Sequence, residues 1–168
     1  MRILGLDPGL HRTGWGILDE KHGHLSHIAH GTLTTSPQDP LPTRLLNIFE
    51  GLKEILKTFS PDEASVEEIF VNKNPLSSLK LGLARGIVLM TPAHAGIPVQ
   101  EYPSTTVKKA LVGHGHAQKE QIGHMVRFFL PKIQELSKDA GDALALAICH
   151  AHMGPQKKLE HRLKREMI

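Results

Sequence analysis

The chain has 168 residues, 40% hydrophobic and 22% charged, which fits one globular domain and excludes an intrinsically disordered chain. The single cysteine, Cys149, excludes an internal disulfide framework and a cysteine-rich zinc module. The apolar N-terminal run stops at Asp7-Pro8-Gly9, and no apolar stretch approaches the roughly 20 residues that span a bilayer. We therefore expect a cytoplasmic protein with no membrane segment.

Hydrophobic patterns predict five strands, over residues 2–7, 13–18, 25–34, 64–71 and 97–102. They predict helices over residues 43–59, 76–94, 103–111, 117–130 and 137–152. The segment Lys21-His22-Gly23-His24 joins the second and third strands as a hairpin. A hairpin followed by alternating helices and strands predicts an α/β fold with a mixed sheet flanked by helices.

The formal net charge of +3 is unevenly distributed. Residues 1–71 contain six basic and ten acidic residues, whereas residues 72–127 contain seven basic and two acidic ones. Residues 156–168 add five basic and two acidic residues. An acidic first part beside a basic middle suggests an anionic partner.

Acidic residues occur where apolar ones are expected. Asp7 ends the first strand, Glu67 and Glu68 interrupt the fourth, and Asp139 and Asp142 begin an otherwise apolar helix. Residues three apart on a helix are separated by about 4.5 Å along the axis and about 60° around it, so both aspartates can face one cavity. Each acid alone also fits a turn, a helix start or a solvated edge.

Four converging carboxylates need a cation or bound protons, because two like charges about 4 Å apart repel by roughly 4 kcal/mol at an effective dielectric of 20. Oxygen-only ligands favour a hard ion such as Mg²⁺ or Mn²⁺. A cluster of this type is typical of two-metal phosphodiester hydrolysis.

Several motifs, in this order, resemble those of the RuvC family of Holliday-junction resolvases. They are ILGLDPG (3–9), TGWG (13–16), VEEIFVNKN (66–74), LKLGLARG (79–86), VGHGHAQK (112–119) and DAGDALALA (139–147). The resemblance covers residues 1–153 as a nuclease domain and leaves a basic tail over residues 154–168 unmatched. Leu83 stands where the family more often has glutamine.

The resemblance implies a ribonuclease H-like fold with a five-stranded sheet, a homodimer, and Mg²⁺-dependent nicking of two opposed strands of a four-way DNA junction. The expected ends are 5′-phosphate and 3′-hydroxyl. It assigns the catalytic and metal-binding carboxylates to Asp7, Glu67, Asp139 and Asp142, and selects Glu67 over Glu68. Two Mg²⁺ ions are expected, with Mn²⁺ able to substitute. RuvA- and RuvB-type branch-migration helicase proteins are the implied partners in recombination and repair.

Eight further residues are predicted DNA contacts. Lys108 and Lys119 match family lysines and are expected at the scissile or flanking phosphates, although a lysine pair such as Lys108-Lys109 also fits a solvated helix face. The remaining predicted contacts are Phe70, Lys73, Lys80, Arg85, His114 and His116. Phe70 resembles a family aromatic at the junction centre, and core packing explains it equally well.

Two other functions fit parts of the sequence. The first is a catalytically silent junction-binding protein on the same fold, against which the presence of all four acids argues. The second is a sugar-kinase or actin-type ATPase domain, which also begins with an aspartate-glycine loop between strands. That class needs a second phosphate loop and a longer chain than 168 residues.

Overall fold

The structure, a computed structural model, describes residues 1–68 and 75–166, with side chains described through Gly154. Ten elements occur in these residues, in the order β1 (Arg2–Asp7), β2 (Arg12–Lys21), β3 (His24–Thr34), α1 (Leu41–Phe59), β4 (Glu63–Glu68), α2 (Pro75–His94), β5 (Val99–Pro103), α3 (Ser104–Val112), α4 (Lys119–Phe129) and α5 (Lys138–Glu166). In this part of the chain, no helix is long and apolar enough to cross a membrane.

The five strands form one sheet in the order β3-β2-β1-β4-β5. β1 is antiparallel to β2 and parallel to β4, and β4 is parallel to β5. This arrangement confirms the predicted mixed five-stranded sheet flanked by helices. The predicted hairpin is also present, and both His22 and Gly23 have positive φ angles (51° and 84°), as a type I′ turn requires.

Each face of the sheet is covered by its own helices. On one face, Ile3 and Leu18 pack with α3, α4 and α5. On the other face, Leu4, Leu6 and Ile17 pack with α1 and α2. Because successive side chains of a strand point to opposite faces, the odd-numbered residues of β1 face α5.

Most element bounds lie within three residues of the prediction, and the end of the last helix differs most. The last helix was predicted to end at His152, but the backbone of α5 continues through Gly154-Pro155 to Glu166. Proline removes one helical hydrogen bond, yet the residues after it are mostly strong helix formers such as lysine, leucine, glutamate and arginine. The predicted fourth strand ran to Val71, whereas β4 ends at Glu68 and residues 69–71 lie outside the described residues.

Candidate active site

The central strands bring two of the predicted acids together. β1 and β4 are parallel, with Leu6 opposite Val66, so Asp7 and Glu67 follow at the same edge of the sheet. In parallel α/β sheets, sites form at the carboxyl ends of the strands. The first and fourth strands are therefore the neighbours that the site hypothesis requires.

Strand alternation selects Glu67 over Glu68 once the faces are known. Glu63 lies four residues before Glu67 on β4, so the two side chains point to the same face. Glu63 contacts His150 of α5, and this contact identifies the face of the strand that α5 covers. Glu67 lies on that side and is partly buried, whereas Glu68 points to the opposite side and is exposed. The geometry thus agrees with the selection that the family resemblance made.

Close packing of α5 against the sheet brings the two aspartates to the same edge. A Cβ atom on Gly5 of β1 would lie 1.9 Å from the carbonyl oxygen of Ala143, and one on Gly14 of β2 would lie 2.0 Å from that of Asp139. No larger residue fits at either position without moving the helix. These two glycines therefore allow the first turns of α5 to lie directly over the ends of β1 and β2.

A cavity of about 160 Å³ lies at this edge, and three of the four predicted carboxylates line it. Its polar lining residues are Asp7, Glu67, Ser104, Lys108, Lys119 and Asp142. Lys119 Nζ lies 3.8 Å from Asp142 Oδ2. Asp139, one turn before Asp142, has its Oδ2 atom 3.7 Å from Arg12 Nη1.

Burial and mutual repulsion make the carboxylates hard to ionise. The pKa of Asp7 is raised to about 8, first by burial and then by the charges of Glu67, Asp142 and Asp139. Burial also raises the pKa of Glu67, while a hydrogen bond with Ser104 acts in the opposite direction. With Asp7 protonated, a hydrogen bond between its carboxyl group and Glu67 further favours the Glu67 carboxylate.

Asp142 shows the same balance between burial and nearby cations. Burial raises its pKa, and the positive charges of Lys119, Lys138 and Lys108 partly offset that effect. The lysine ammonium groups therefore offset part of the effect of burial on the Asp142 carboxylate.

The donor set of the cavity fits a hard divalent cation. Carboxylate oxygens are the ligands that Mg²⁺ and Mn²⁺ prefer, and the positive charge of a divalent ion would favour ionisation of the three lining carboxylates, whose pKa values are raised. Among the described residues, no three His, Cys, Asp or Glu side chains are already arranged to hold an ion.

Two residues of this region were not predicted from the sequence. Ser104 begins α3 directly after β5, where Tyr102 and Pro103 pair with Glu67 and Glu68. The rule that sites form at the ends of parallel strands would have identified it. Arg12, which faces Asp139, begins β2 at the same edge of the sheet.

The predicted DNA contacts occupy several environments. Lys108 and Lys119 line the carboxylate cavity. His114 and His116 are exposed in the turn between α3 and α4, and Lys80 is exposed on α2. Arg85 was predicted to contact the DNA backbone, and in the structure it forms an ion pair with Glu101 of β5. Phe70 and Lys73 lie outside the described residues.

Comparison with known proteins assigns this chain to a family. The family model described as "Crossover junction endodeoxyribonuclease RuvC" matches residues 3–150. The chain belongs to the RuvC family. The family resemblance and the enzyme class predicted from the motifs are therefore confirmed.

The chain matches RuvC proteins over nearly their full length. The crossover junction endodeoxyribonuclease RuvC of Paramagnetospirillum magneticum is 52% identical over 166 residues, covering 98% of this chain and 100% of the relative. The RuvC of Rhizobium johnstonii is 47% identical over 163 residues, covering 97% and 96%.

Solved RuvC structures share the fold. Thermus thermophilus RuvC, solved in complex with Holliday junction substrate, is 35% identical with a TM-score of 0.88, covering 94% of this chain and 96% of that one. The yeast mitochondrial Holliday junction resolvase Ydc2 is 9% identical with a TM-score of 0.66, covering 99% and 86%, and shows the fold alone. The predicted ribonuclease H-like fold is confirmed.

Proposed function

We propose that this chain resolves Holliday junctions by cutting two opposed strands at a metal-dependent site formed by Asp7, Glu67, Asp139 and Asp142. One observation carries the proposal: the acids of β1, β4 and α5 converge at a single edge of the sheet, next to two lysines of the same cavity. A junction-binding protein without catalysis has no use for buried carboxylates that repel one another.

In this proposal the carboxylates of the cavity bind metal and its lysines bind DNA. Asp7, Glu67 and Asp142, which line the cavity, would hold Mg²⁺ or Mn²⁺ together with Asp139, one turn earlier on α5. A divalent ion bound there supplies activation of the attacking water and stabilisation of the charge on the leaving oxygen, and two ions suit that role better than one. Lys108 and Lys119 line the same cavity and would attract the phosphate to be cut.

Ser104 orients the site. Its hydroxyl group contributes a hydrogen bond to Glu67, which lowers the pKa of that carboxyl group and so opposes part of the raising effect of burial. Because Ser104 begins α3 and Lys108 lies one turn later, this helix places the orienting hydroxyl and the phosphate-binding ammonium on the same side of the cavity.

A cleavage assay with paired variants of β4 tests the function. Labelled four-way junctions and the matching linear duplexes are incubated with Mg²⁺ and wild type, Glu67→Gln or Glu68→Gln. We expect symmetric nicks on junctions from wild type and Glu68→Gln, and a loss of at least about a hundredfold in Glu67→Gln. Equal cutting by Glu67→Gln would refute the site, and equal cutting of linear duplex would refute the substrate.

The proposal includes a homodimer, because two opposed strands need two active sites. Helix α2 supplies a surface for a second copy: Leu76, Leu79, Leu83 and Met90 are 71%, 63%, 40% and 48% exposed along one helical face. Gly86 interrupts the same face, and no atom of the described residues lies within 4 Å of its Cβ position, which lets another helix approach. A symmetric dimer contact is self-complementary, and an apolar helical stripe satisfies that requirement.

Sedimentation tests the dimer independently of cleavage. We expect wild type to sediment as a dimer and Leu79→Glu as a monomer that has lost paired cutting. The matched control is Leu46→Glu, which adds the same charge at a leucine on α1 that is 55% exposed. A monomeric wild type, or a dimeric Leu79→Glu variant, would overturn the assignment of the α2 stripe.

The remaining parts of the proposal come from the family resemblance. They are action beside RuvA- and RuvB-type branch-migration proteins, a cytoplasmic location with the DNA substrate, and the division into a nuclease domain over residues 1–153 and a basic tail over residues 154–168. The DNA contacts predicted for Phe70, Lys73, Lys80, Arg85, His114 and His116 belong to the same proposal.

A further inference from the structure

A second cleft lies beside the carboxylate cavity, and its lining includes two basic residues, Arg127 and Lys138, that lie outside the family motifs. It has a volume of about 320 Å³ between α4 and the start of α5. Lys119 and Asp142 line both the cleft and the carboxylate cavity, so the two are adjacent. A strand that leaves the catalytic carboxylates in this direction enters the cleft directly.

Helix α4 places two cations on the wall of the cleft. Lys119, Gly123 and Arg127 are spaced four residues apart, so they lie on one helical face. The two cationic residues are separated by about 12 Å along the axis, at 1.5 Å per residue. Among the residues that the structure describes, none places an atom within 4 Å of the Cβ position of Gly123, so the wall is open there.

Arg127 is oriented towards the cleft by the loop that follows α4. One guanidinium N–H group donates a hydrogen bond to the carbonyl oxygen of Gln134 at 3.3 Å. Arginine carries five N–H donors in a planar fork, so this anchor leaves donors for a phosphate.

The start of α5 provides the opposite wall. Lys138, its first residue, lines the cleft, and the first turn of the helix adds its own positive potential. The acidic groups on the lining are Glu120 and Asp142. Asp142 belongs to the catalytic cluster, so the part of the cleft beyond it has a positive excess.

We propose that this cleft binds the phosphodiester backbone of the cleaved strand next to the scissile phosphate, with Arg127 and Lys138 as the phosphate-binding residues. The proposal rests on the proposed function, because it assigns a path to the strand that is cut. The ligand is the sugar-phosphate backbone and not the bases, because Arg127 and Lys138 on opposite walls bind the charge of phosphates and do not read the hydrogen-bonding groups of base edges. The span of about 12 Å exceeds the rise of about 3.4 Å between phosphates of one DNA strand, so more than one phosphate fits.

Salt-dependent binding tests the cleft. Junction affinity is measured without divalent metal at several salt concentrations for wild type, Arg127→Gln, Lys138→Gln and the double variant. We expect each single variant to weaken binding about three- to tenfold and to reduce the slope of log K against log salt by about one. The control is Lys57→Gln on α1, on the other face of the sheet, and Arg127→Lys is expected to restore the slope.

Phosphates replaced one at a time by uncharged methylphosphonates identify the contact on the DNA side. We expect wild-type cleavage to fall when a linkage flanking the cut is neutralised, and the double variant to be insensitive to that same linkage. Unchanged salt slopes, or equal sensitivity of the double variant and wild type, would overturn the proposal while junction cleavage by wild type stands. Absence of wild-type junction cleavage would instead refute the proposed function.

Discussion

Replacing Asp7 by asparagine is expected to stabilise the metal-free protein. At pH 7 the folded protein holds a proton on Asp7, whose pKa is raised to about 8 by burial and by the neighbouring carboxylates, whereas the same group in the unfolded chain has a pKa of 3.8. Taking up that proton costs about 4 kcal/mol at pH 7, from 1.36 kcal/mol for each pH unit above 3.8. Asparagine has the same shape and no such cost.

The stability difference between wild type and Asp7→Asn is expected to depend on pH. Below pH 3.8 both states are protonated and Asp7 contributes nothing to the pH dependence of stability. Between pH 3.8 and about 8 folding takes up a proton, so wild-type stability falls as the pH rises, and above pH 8 the full penalty is present. The advantage of Asp7→Asn therefore grows from about pH 4 to about pH 8.

Urea denaturation in EDTA at pH 5, 7 and 8.5 measures this difference. We expect Asp7→Asn to gain about 2 to 4 kcal/mol at pH 7, and Asp39→Asn, a loop variant, to gain nothing comparable. Mg²⁺ is expected to reverse the order, since each tenfold rise above its dissociation constant stabilises wild type by about 1.4 kcal/mol and the variant by less. A variant less stable than wild type at pH 8.5 in EDTA would refute the electrostatic reasoning, as would a gain independent of pH.

Three further predictions concern the parts that hold the site together. Gly5→Ala is expected to lower the free energy of unfolding by more than about 2 kcal/mol and to impair cleavage, because its Cβ would meet the Ala143 carbonyl oxygen at 1.9 Å. Gly141→Ala, whose Cβ would lie 3.6 Å from Leu136 Cδ2, should instead gain up to about 1 kcal/mol in urea denaturation. His150→Leu removes hydrogen bonds of 2.9 Å to Tyr102 and 2.8 Å to Glu63 in the core, and is expected to lower the free energy of unfolding by about 3 kcal/mol. Tyr102→Phe removes only the first of these bonds and is expected to cost about 1 kcal/mol. Equal losses in the two variants would contradict a stabilising bond between His150 and Glu63. Ser104→Ala is expected to raise the pKa of Glu67 further and thus to move the acidic limb of the pH–cleavage profile to higher pH, and an unmoved limb would exclude the hydrogen bond as the cause.

The fold was predictable from the sequence because its strands and helices have clear apolar periods. The strand at Arg2–Asp7 agrees with the prediction, and most helix ends agree within two residues. The end of α5 was predicted too early, because Gly154-Pro155 is a local signal for the end of a helix, and α5 continues through it. The acids Asp7, Asp139 and Asp142 were identifiable from their positions in apolar elements, since ionised groups rarely enter such elements without a role.

Other features depended on distant contacts that no local pattern contains. Glu67 and Glu68 are equivalent in the sequence until the face that carries α5 is known. Arg85 follows a basic, DNA-binding pattern, yet its partner Glu101 lies on a strand that the chain reaches only after α2 has ended. Ser104 has no local signal beyond its place at a strand end. Tertiary neighbours decided each of these cases.

The contact between α5 and the sheet couples stability to metal binding in the proposed site. Gly5 and Gly14 let the helix approach the strands closely, which both buries Asp7 and brings Asp139 and Asp142 within electrostatic range of it. A helix held farther away would leave Asp7 better solvated and easier to ionise, but would separate the same carboxylates. The closeness that makes the metal-free protein less stable is therefore the closeness that a divalent cation needs, and substitutions cannot improve one property at this contact without weakening the other.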